Sequence, residues 1–277
     1  MLTPDNFKLT TDIKHTLHNP NFTIIDESDD YIVVHKPAHL LVHPSKPNNP
    51  PTLLDGLQQL LAYDLASSNT PLSIINRLDR ETSGLVLVAK NPETARRFSL
   101  AMQSRQIHKE YLAIVHGHPK ENSFSVNQAL RRKGEITPSP IWVKQITHPH
   151  GQPAHTTFNV LSRFQHPTPA NSQAPFALVQ ALPQTGRMHQ IRVHLAHAGH
   201  PVVGDKIYGA DENAYLEFIE TGWTDHLAQK LLFPHQALHS SRLRIDSSDA
   251  SPSEDWSAPL PPDLQSWIDS PSSSHSP

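Results

Sequence analysis

The sequence predicts an α+β fold, a mixed and largely antiparallel sheet with flanking helices. Three observations lead there. Apolar runs with strand character recur from residue 22 to residue 245, helical patterns between them are few, and the two kinds do not alternate strictly as in a βαβ chain.

Residues 22–27 (FTIIDE) and 31–36 (YIVVHK) are apolar runs parted by Ser28-Asp29-Asp30, the pattern of a β-hairpin. Lys36-Pro37 opens a loop rich in His and Pro that reaches Pro51. From 52 to 66, Leu53, Leu57, Leu60, Leu61 and Leu65 recur at helical spacing. Gly84 to Lys90 (GLVLVAK) reads as a buried strand. Asn91 as N-cap, Pro92 at the first helical position and Glu93 in the first turn start a helix that aligns Ala95, Phe98 and Met102. Strands are expected at 110–115, 154–161 and 176–182, separated by Pro-rich polar loops at 147–153 and 165–175. Residues 189–198 (HQIRVHLAHA) place Ile191, Leu195 and Ala198 on one stripe before Gly199, which marks a short helix. A last strand is expected at 236–245, then a Ser/Asp/Pro-rich loop at 246–255. Residues 256–269 hold enough Trp, Leu and Ile to dock on the core. The resulting plan is one domain over 22–269, an N-terminal extension over 1–21 and a disordered tail over 270–277.

Composition narrows the function. No window approaches 18 apolar residues, so no membrane-spanning helix is expected, and the N-terminus lacks the pattern of a signal peptide; cytoplasm is the default location. The chain has no Cys, which removes disulfides, thiolate zinc sites and Cys nucleophiles. Net charge is −3 over 277 residues, but it is unevenly spread. Residues 31–245 carry 21 bases against 14 acids, while both ends are acidic. A positive middle suits a polyanion, because neutralised phosphates release counterions.

Three segments carry chemistry. In Ile75 to Lys90 (INRLDRETSGLVLVAK) the carboxylate of Asp79 lies between Arg77 and Arg80 and feeds through Thr82-Ser83-Gly84 into an apolar strand. Nearby cations favour an ionised carboxylate, suited to a nucleophile or base. In Pro183 to Gly209 (PQTGRMHQIRVHLAHAGHPVVGDKIYG) Arg187 and Arg192 flank a helix start. From that rigid mount Arg192 can grip a carboxylate in bidentate fashion. In Ile107 to Gly117, Tyr111 opens a strand. Each segment alone is compatible with a loop ion pair or an ordinary strand aromatic.

Together they closely resemble the RluA-type pseudouridine synthases. Arg77-Leu78-Asp79 with Thr82-Ser83-Gly84 matches the family's R-L-D-x-x-T-S-G segment, and Pro183–Gly209 matches its T-G-R-x-H-Q-[IL]-R-x-H and G-H-P-x-x-G-D-x-x-Y-G signatures. Lys109-Glu110-Tyr111-Leu112-Ala113 matches K-x-Y-x-A; Lys36-Pro37-Ala38 and Ala237-Leu238-His239 also fit. The resemblance spans about residues 22–269. Departures are Asn76 for the usual His, His39 for a common Gly, and Met188 for a common Thr or Ser. Many members carry an S4-like RNA-binding module; some 20 residues precede the first strand here, so that module is expected to be absent.

The resemblance implies the pseudouridine synthase fold with a central RNA-binding cleft, and isomerisation of uridine to pseudouridine without cofactor or metal. It implies Asp79 as the catalytic carboxylate, Arg192 as its ion-pair partner, and Tyr111 stacked on the uracil and placed to take the C5 proton. Whether Asp79 attacks C1′, adds to the base or removes the C2′ proton stays open. Arg77, Arg80, Arg187 and His189 are expected to touch RNA, with Arg77 filling the space of a flipped nucleotide. Arg131, Arg132 and Lys133 are candidate phosphate contacts. The expected partner is a structured stem-loop of transfer or large-subunit ribosomal RNA, with a lean toward short stem-loops; no obligate protein partner is expected.

Three competing readings have their own features. Asp79 and Glu81 form a carboxylate pair that, in extended chain, stands roughly 6.6 Å apart. That separation falls between those of retaining and inverting glycoside hydrolases. Glu81 is instead expected to pair with a flanking Arg. His189, His194, His197 and His200 suggest a metal site, but the family signature accounts for His189 and His194, and histidines beside Pro are read as solvated loop residues. A catalytically silent RNA binder would not need Asp79, Tyr111 and Arg192 together.

Overall fold

The structure, a computed structural model, describes residues 21–44, 50–68, 70–209, 211–247 and 253–270. The extension before residue 21 and the tail beyond 270 lie outside the described residues. β1 (Thr23–Glu27) and β2 (Tyr31–Lys36) form the expected hairpin, its turn closed by Ser28 Oγ accepting from the Tyr31 N–H. Thr52 and Asp55 build a capping box at α1 (Leu53–Leu60). The chain bends at Leu61 before α2 (Ala62–Ser68), so the single helix expected over 52–66 is two. The bend keeps Leu53, Leu57 and Leu61 in one core cluster with Leu65 packed against it.

β3 (Ser73–Ile74) leads through a loop into β4 (Ser83–Ala89), whose seven residues are all buried. Its side chains alternate between two cores: Leu85 and Leu87 join Phe98 of α3 (Pro92–Gln103), while Val86 and Val88 join Leu53 and Leu57 of α1. Then come β5 (Ile107–His116), β6 (Ser123–Val126), β7 (Leu130–Arg132), β8 (Gln145–Thr147), β9 (Thr156–Thr168) and β10 (Asn171–Pro183). α4 (Gln190–His197), α5 (Asn213–Thr221) and α6 (Asp225–Leu231) precede β11 (Leu238–Ile245), β12 (Glu254–Ser257) and α7 (Pro262–Asp269).

The main sheet runs β1-β2-β4-β11-β5-β10-β9-β6, with β12 added beside β11 and β3 beside β4. Only β4 and β11 pair in parallel among the described strands of this sheet, so the expected antiparallel character holds. β7 and β8 form a separate ribbon. Ile191 and Leu195 of α4 pack on the β5, β9 and β10 face together with Leu264 of α7, so residues 256–269 dock as expected.

Two expected loops are strand. Over 165–175 the chain continues β9 and β10 as a long ribbon that turns near Pro169, with Pro175 paired opposite Gln165. The ribbon absorbs Pro and polar residues because its outer half has few ladder partners to lose. Within 246–255, Glu254 and Asp255 begin β12 and pair with Ile245 and Arg244; residues 248–252 lie outside the described residues. The short strands β3, β6, β7 and β8 and the helices α5 and α6 left too weak a periodic signal to be anticipated.

β4 lies close against β11 at Gly84, whose φ is 115° and whose Cβ, if present, would lie 2.3 Å from the Ser240 carbonyl oxygen. Gly84→Ala is expected to cost about 3 kcal/mol or more through strain and overlap. Urea denaturation measures this, and a midpoint equal to wild type would contradict the contact.

Candidate active site

Asp79 lies on the loop between β3 and β4, where the Thr82 N–H donates to the Asp79 carbonyl at 3.1 Å and closes a turn. Two buried side chains hold this loop. Asn76 bridges the Leu85 carbonyl (3.0 Å) and the Leu87 N–H (2.8 Å), so this departure from the family pattern binds the loop to β4. The fully buried Lys36 ammonium donates to the carbonyls of Pro37 (2.8 Å), Leu40 (2.9 Å) and Arg80 (3.2 Å). Burial pulls its pKa down to about 7, against the charge of Asp79. His39, in the place of the common glycine, adopts φ 67°, the left-handed region where glycine is at ease.

The second wall is the Thr185–Gly209 segment. Gln190 shapes it, accepting from Thr185 Oγ1 (2.7 Å) and the Arg187 N–H (3.0 Å) while donating to the His155 carbonyl (3.0 Å). His189 caps α4 at φ 56°. Arg192, 5% exposed, grips Asp205 in the bidentate manner expected, through Nε–Oδ2 at 2.6 Å and Nη2–Oδ1 at 2.8 Å. Its Nη1 then donates to Asp79 Oδ2 at 2.7 Å. Asp205 also accepts the N–H groups of Ile207 (2.9 Å) and Tyr208 (3.0 Å). Gln236 donates to Asp79 Oδ2 at 3.4 Å. Both described donors therefore fall on Oδ2, and the Asp79 side chain keeps 30% of its surface exposed.

Burial opposes the charge on Asp79, but His189, Arg192 and Gln236 outweigh it and hold its pKa down to about 2. His189 is itself pushed down to about 4 by burial, so at neutral pH it is uncharged and Arg192 supplies the cation. Burial and then Asp205 and Asp79 act on Arg192 in opposite senses, with a net upward shift. The Tyr208 hydroxyl accepts from the Gln145 N–H (2.8 Å) and contacts His189 Nδ1 (2.8 Å), which fixes the imidazole with its Nε2 3.8 Å from Asp79 Oδ2. Tyr111 is buried on β5, opposite Ser240 of β11, which in turn faces Gly84 of β4. Burial drives its pKa up to about 12, with the charge of Asp79 adding to the rise. Asp79, Tyr111 and Arg192 thus share one electrostatic environment.

Asp205, Tyr208, Gln236 and Lys206 were not assigned roles from the sequence, although they lie in or beside the matched signatures. Glu81 corrects a specific expectation. It pairs with Lys206 (2.8 Å), not a flanking Arg, because the turn after Asp79 carries it away from the extended geometry. Lys206 also donates to the Pro234 carbonyl (2.6 Å) and stands over the rings of Phe218 (4.6 Å) and Trp223 (5.6 Å). The adjacent residues Asp205 and Lys206 thereby tie the Asp79 loop at two points. His235, beside Pro234, is buried rather than solvated and contacts Asp263 (2.8 Å); His194 is buried as well, against Thr156 Oγ1 (2.9 Å) and the Gln128 carbonyl (3.0 Å).

Arg77, Arg80 and Arg187 are exposed on the two walls, near His43, the His39 carbonyl and the Pro153 carbonyl. Arg131, Arg132 and Lys133 lie on and just after β7, partly neutralised by Glu135 (3.0 and 3.3 Å) and Glu212 (3.1 Å). Asp205→Asn removes the charge that compensates a buried guanidinium, so a loss of about 3 kcal/mol or more is expected. Denaturant titration measures it, and undiminished stability would show that Arg192 does not depend on Asp205.

A family model described as RNA pseudouridylate synthase matches residues 30–197. The ribosomal large subunit pseudouridine synthase D of Salmonella typhimurium is 34% identical over 251 residues, 89% of this chain and 69% of that protein. Its counterpart in Haemophilus ducreyi is 32% identical over 262 residues, 95% of this chain and 74% of the relative. Among solved structures, human RNA pseudouridylate synthase domain containing 4 superposes with a TM-score of 0.67 at 24% identity, over 89% of this chain and 92% of that one. Human RNA pseudouridylate synthase domain containing 1 gives 0.61 at 24% identity, over 91% and 96%. With the same fold, the same matched segments and relatives above 30% identity over most of its length, this chain belongs to the RNA pseudouridylate synthase family.

Proposed function

We propose that this protein converts uridine to pseudouridine in large-subunit ribosomal RNA, with Asp79 as the reacting carboxylate. One observation carries the reading: an ionised, partly exposed carboxylate held on one oxygen by a buried arginine that a second carboxylate already compensates. The names of the relatives favour ribosomal over transfer RNA, and the cytoplasm is the corresponding place of action.

The reaction breaks N1–C1′, turns the uracil, and joins C5 to C1′; the C5 proton leaves and N1 ends protonated. Attack on C1′, addition to the base and removal of the C2′ proton all begin from ionised Asp79. Arg192 keeps it ionised against the desolvation that a bound nucleotide brings. Tyr111 is a neutral phenol at pH 7, so its resting role is to hold the base by stacking; taking the C5 proton requires that it pass its own proton on in the same step. His189, neutral and fixed by Tyr208, offers a hydrogen bond beside Oδ2 without adding charge. Arg77, Arg80 and Arg187 on the rims serve the flanking phosphates.

Asp79→Asn is expected to lower single-turnover pseudouridine formation by roughly 100- to 10,000-fold while leaving RNA affinity near wild type. Equal pseudouridine content with either protein, measured on in vitro transcribed large-subunit RNA, would remove Asp79 from the chemistry. The shifts of Asp79 to about 2 and His189 to about 4 place both titrations on the acid side. Both groups have depressed values, so each holds its neutral-pH form across the range above. Hence kcat/KM is expected to show no acid limb between about pH 6 and 7, and to fall only above pH 7, where the Lys36 ammonium that holds the loop loses its proton. An acid limb near pH 6.5 would assign the controlling group to another residue.

A further inference from the structure

We propose that the Trp142 indole is a stacking platform for an unpaired base of the RNA substrate, a few nucleotides from the flipped uridine. The inference rests on the reading that the substrate is RNA. Trp142 is 73% exposed, whereas Trp256 is 6% exposed in the core. Singly exposed apolar side chains are ordinary on a protein surface; what sets this indole apart is its rigid mount and the cations around it.

The segment is rigid. Ile141, just before it, is 1% exposed and packs with Val193 of α4 and with Tyr208. The Lys144 N–H closes the turn onto the Ile141 carbonyl at 3.2 Å. Val193 follows Arg192 in α4, and Tyr208 orients His189, so the platform is mounted on the elements that build the active site. From Trp142 to Gln145 the chain spans at most ~11 Å. The Gln145 N–H meets Tyr208, which meets His189, which lies beside Asp79. Trp142 therefore stands within roughly 25 Å of the reacting carboxylate, a span of a few nucleotides.

One face of the ring is already taken by the Arg132 guanidinium, 3.7 Å from the centroid. The other is free for a base, and base–aromatic stacking needs no particular sequence. Around the platform Arg131, Arg132, Lys133 and Lys144 outnumber Glu135 and Glu212, leaving a positive surface for the attached phosphates. That charge fits a nucleic acid better than an apolar protein surface. Met188, half exposed, touches Gln145 at 3.6 Å and continues the surface toward the cleft.

The test compares wild type, Trp142→Ala and Trp142→Phe for binding of a fluorescein-labelled single-stranded oligouridylate, followed by anisotropy. Trp142→Ala is expected to raise Kd by about 5- to 150-fold, the range for losing one stacked base, while Trp142→Phe stays close to wild type. The single-turnover rate on saturating large-subunit RNA transcript is expected to be the same in all three. Undiminished binding by Trp142→Ala, equal losses in both variants, no binding by wild type, or unequal rates at saturation would overturn the platform. Failure of wild type to modify the transcript strikes the proposed substrate instead, and the oligouridylate comparison still decides the platform.

Discussion

Everything at the site depends on one guanidinium shared by two carboxylates. A buried arginine charge is costly unless compensated, and Asp205 compensates it completely, with two oxygens on Arg192 and two backbone N–H groups on Asp205. Arg192 is thus already fixed before it meets Asp79. Its remaining donor can be spent on Asp79 Oδ2 without reorganisation, which is the meaning of preorganisation in electrostatic terms. The triad as a whole carries one net negative charge, and it is the partly exposed Asp79 that presents it to solvent.

The loop bearing Asp79 has little regular structure of its own, and its rigidity is borrowed. Lys36 holds it from below, Asn76 from its start, and Lys206 through Glu81 from its end. The ties from Lys36 and Lys206 come from distant parts of the chain, so loop geometry is a property of the assembled domain. The contrast with the positive ribbon at β7 and β8 is instructive. There the cations share acids on the surface, where each pair contributes little and phosphate can compete for them.

Much of this was legible in the sequence, for identifiable reasons. β2 and β4 announced themselves because a strand buried on both faces is an unbroken apolar run, and α3 because Asn91-Pro92 is a strong local start signal. Asp79 and Arg192 were legible because each stands in a dense, matched segment. Asp205 was hidden, since a carboxylate thirteen residues from its arginine becomes a partner only when the loop folds back. Glu81 misled, because an arginine stands immediately before it while its partner is 125 residues away. The outer half of the β9–β10 ribbon was masked by prolines and polar residues that an exposed ribbon tolerates.

The order of strands has a consequence for how the protein is born. β11, from the C-terminal part of the chain, is inserted between β4 and β5, so two strands made early must wait apart until a much later one arrives. During translation the half-made sheet has open edges where Gly84 and Tyr111 will eventually meet Ser240. The pairings of Gly84 and Tyr111 with Ser240 therefore form only after β11 has been made, and until then no described strand joins β4 to β5.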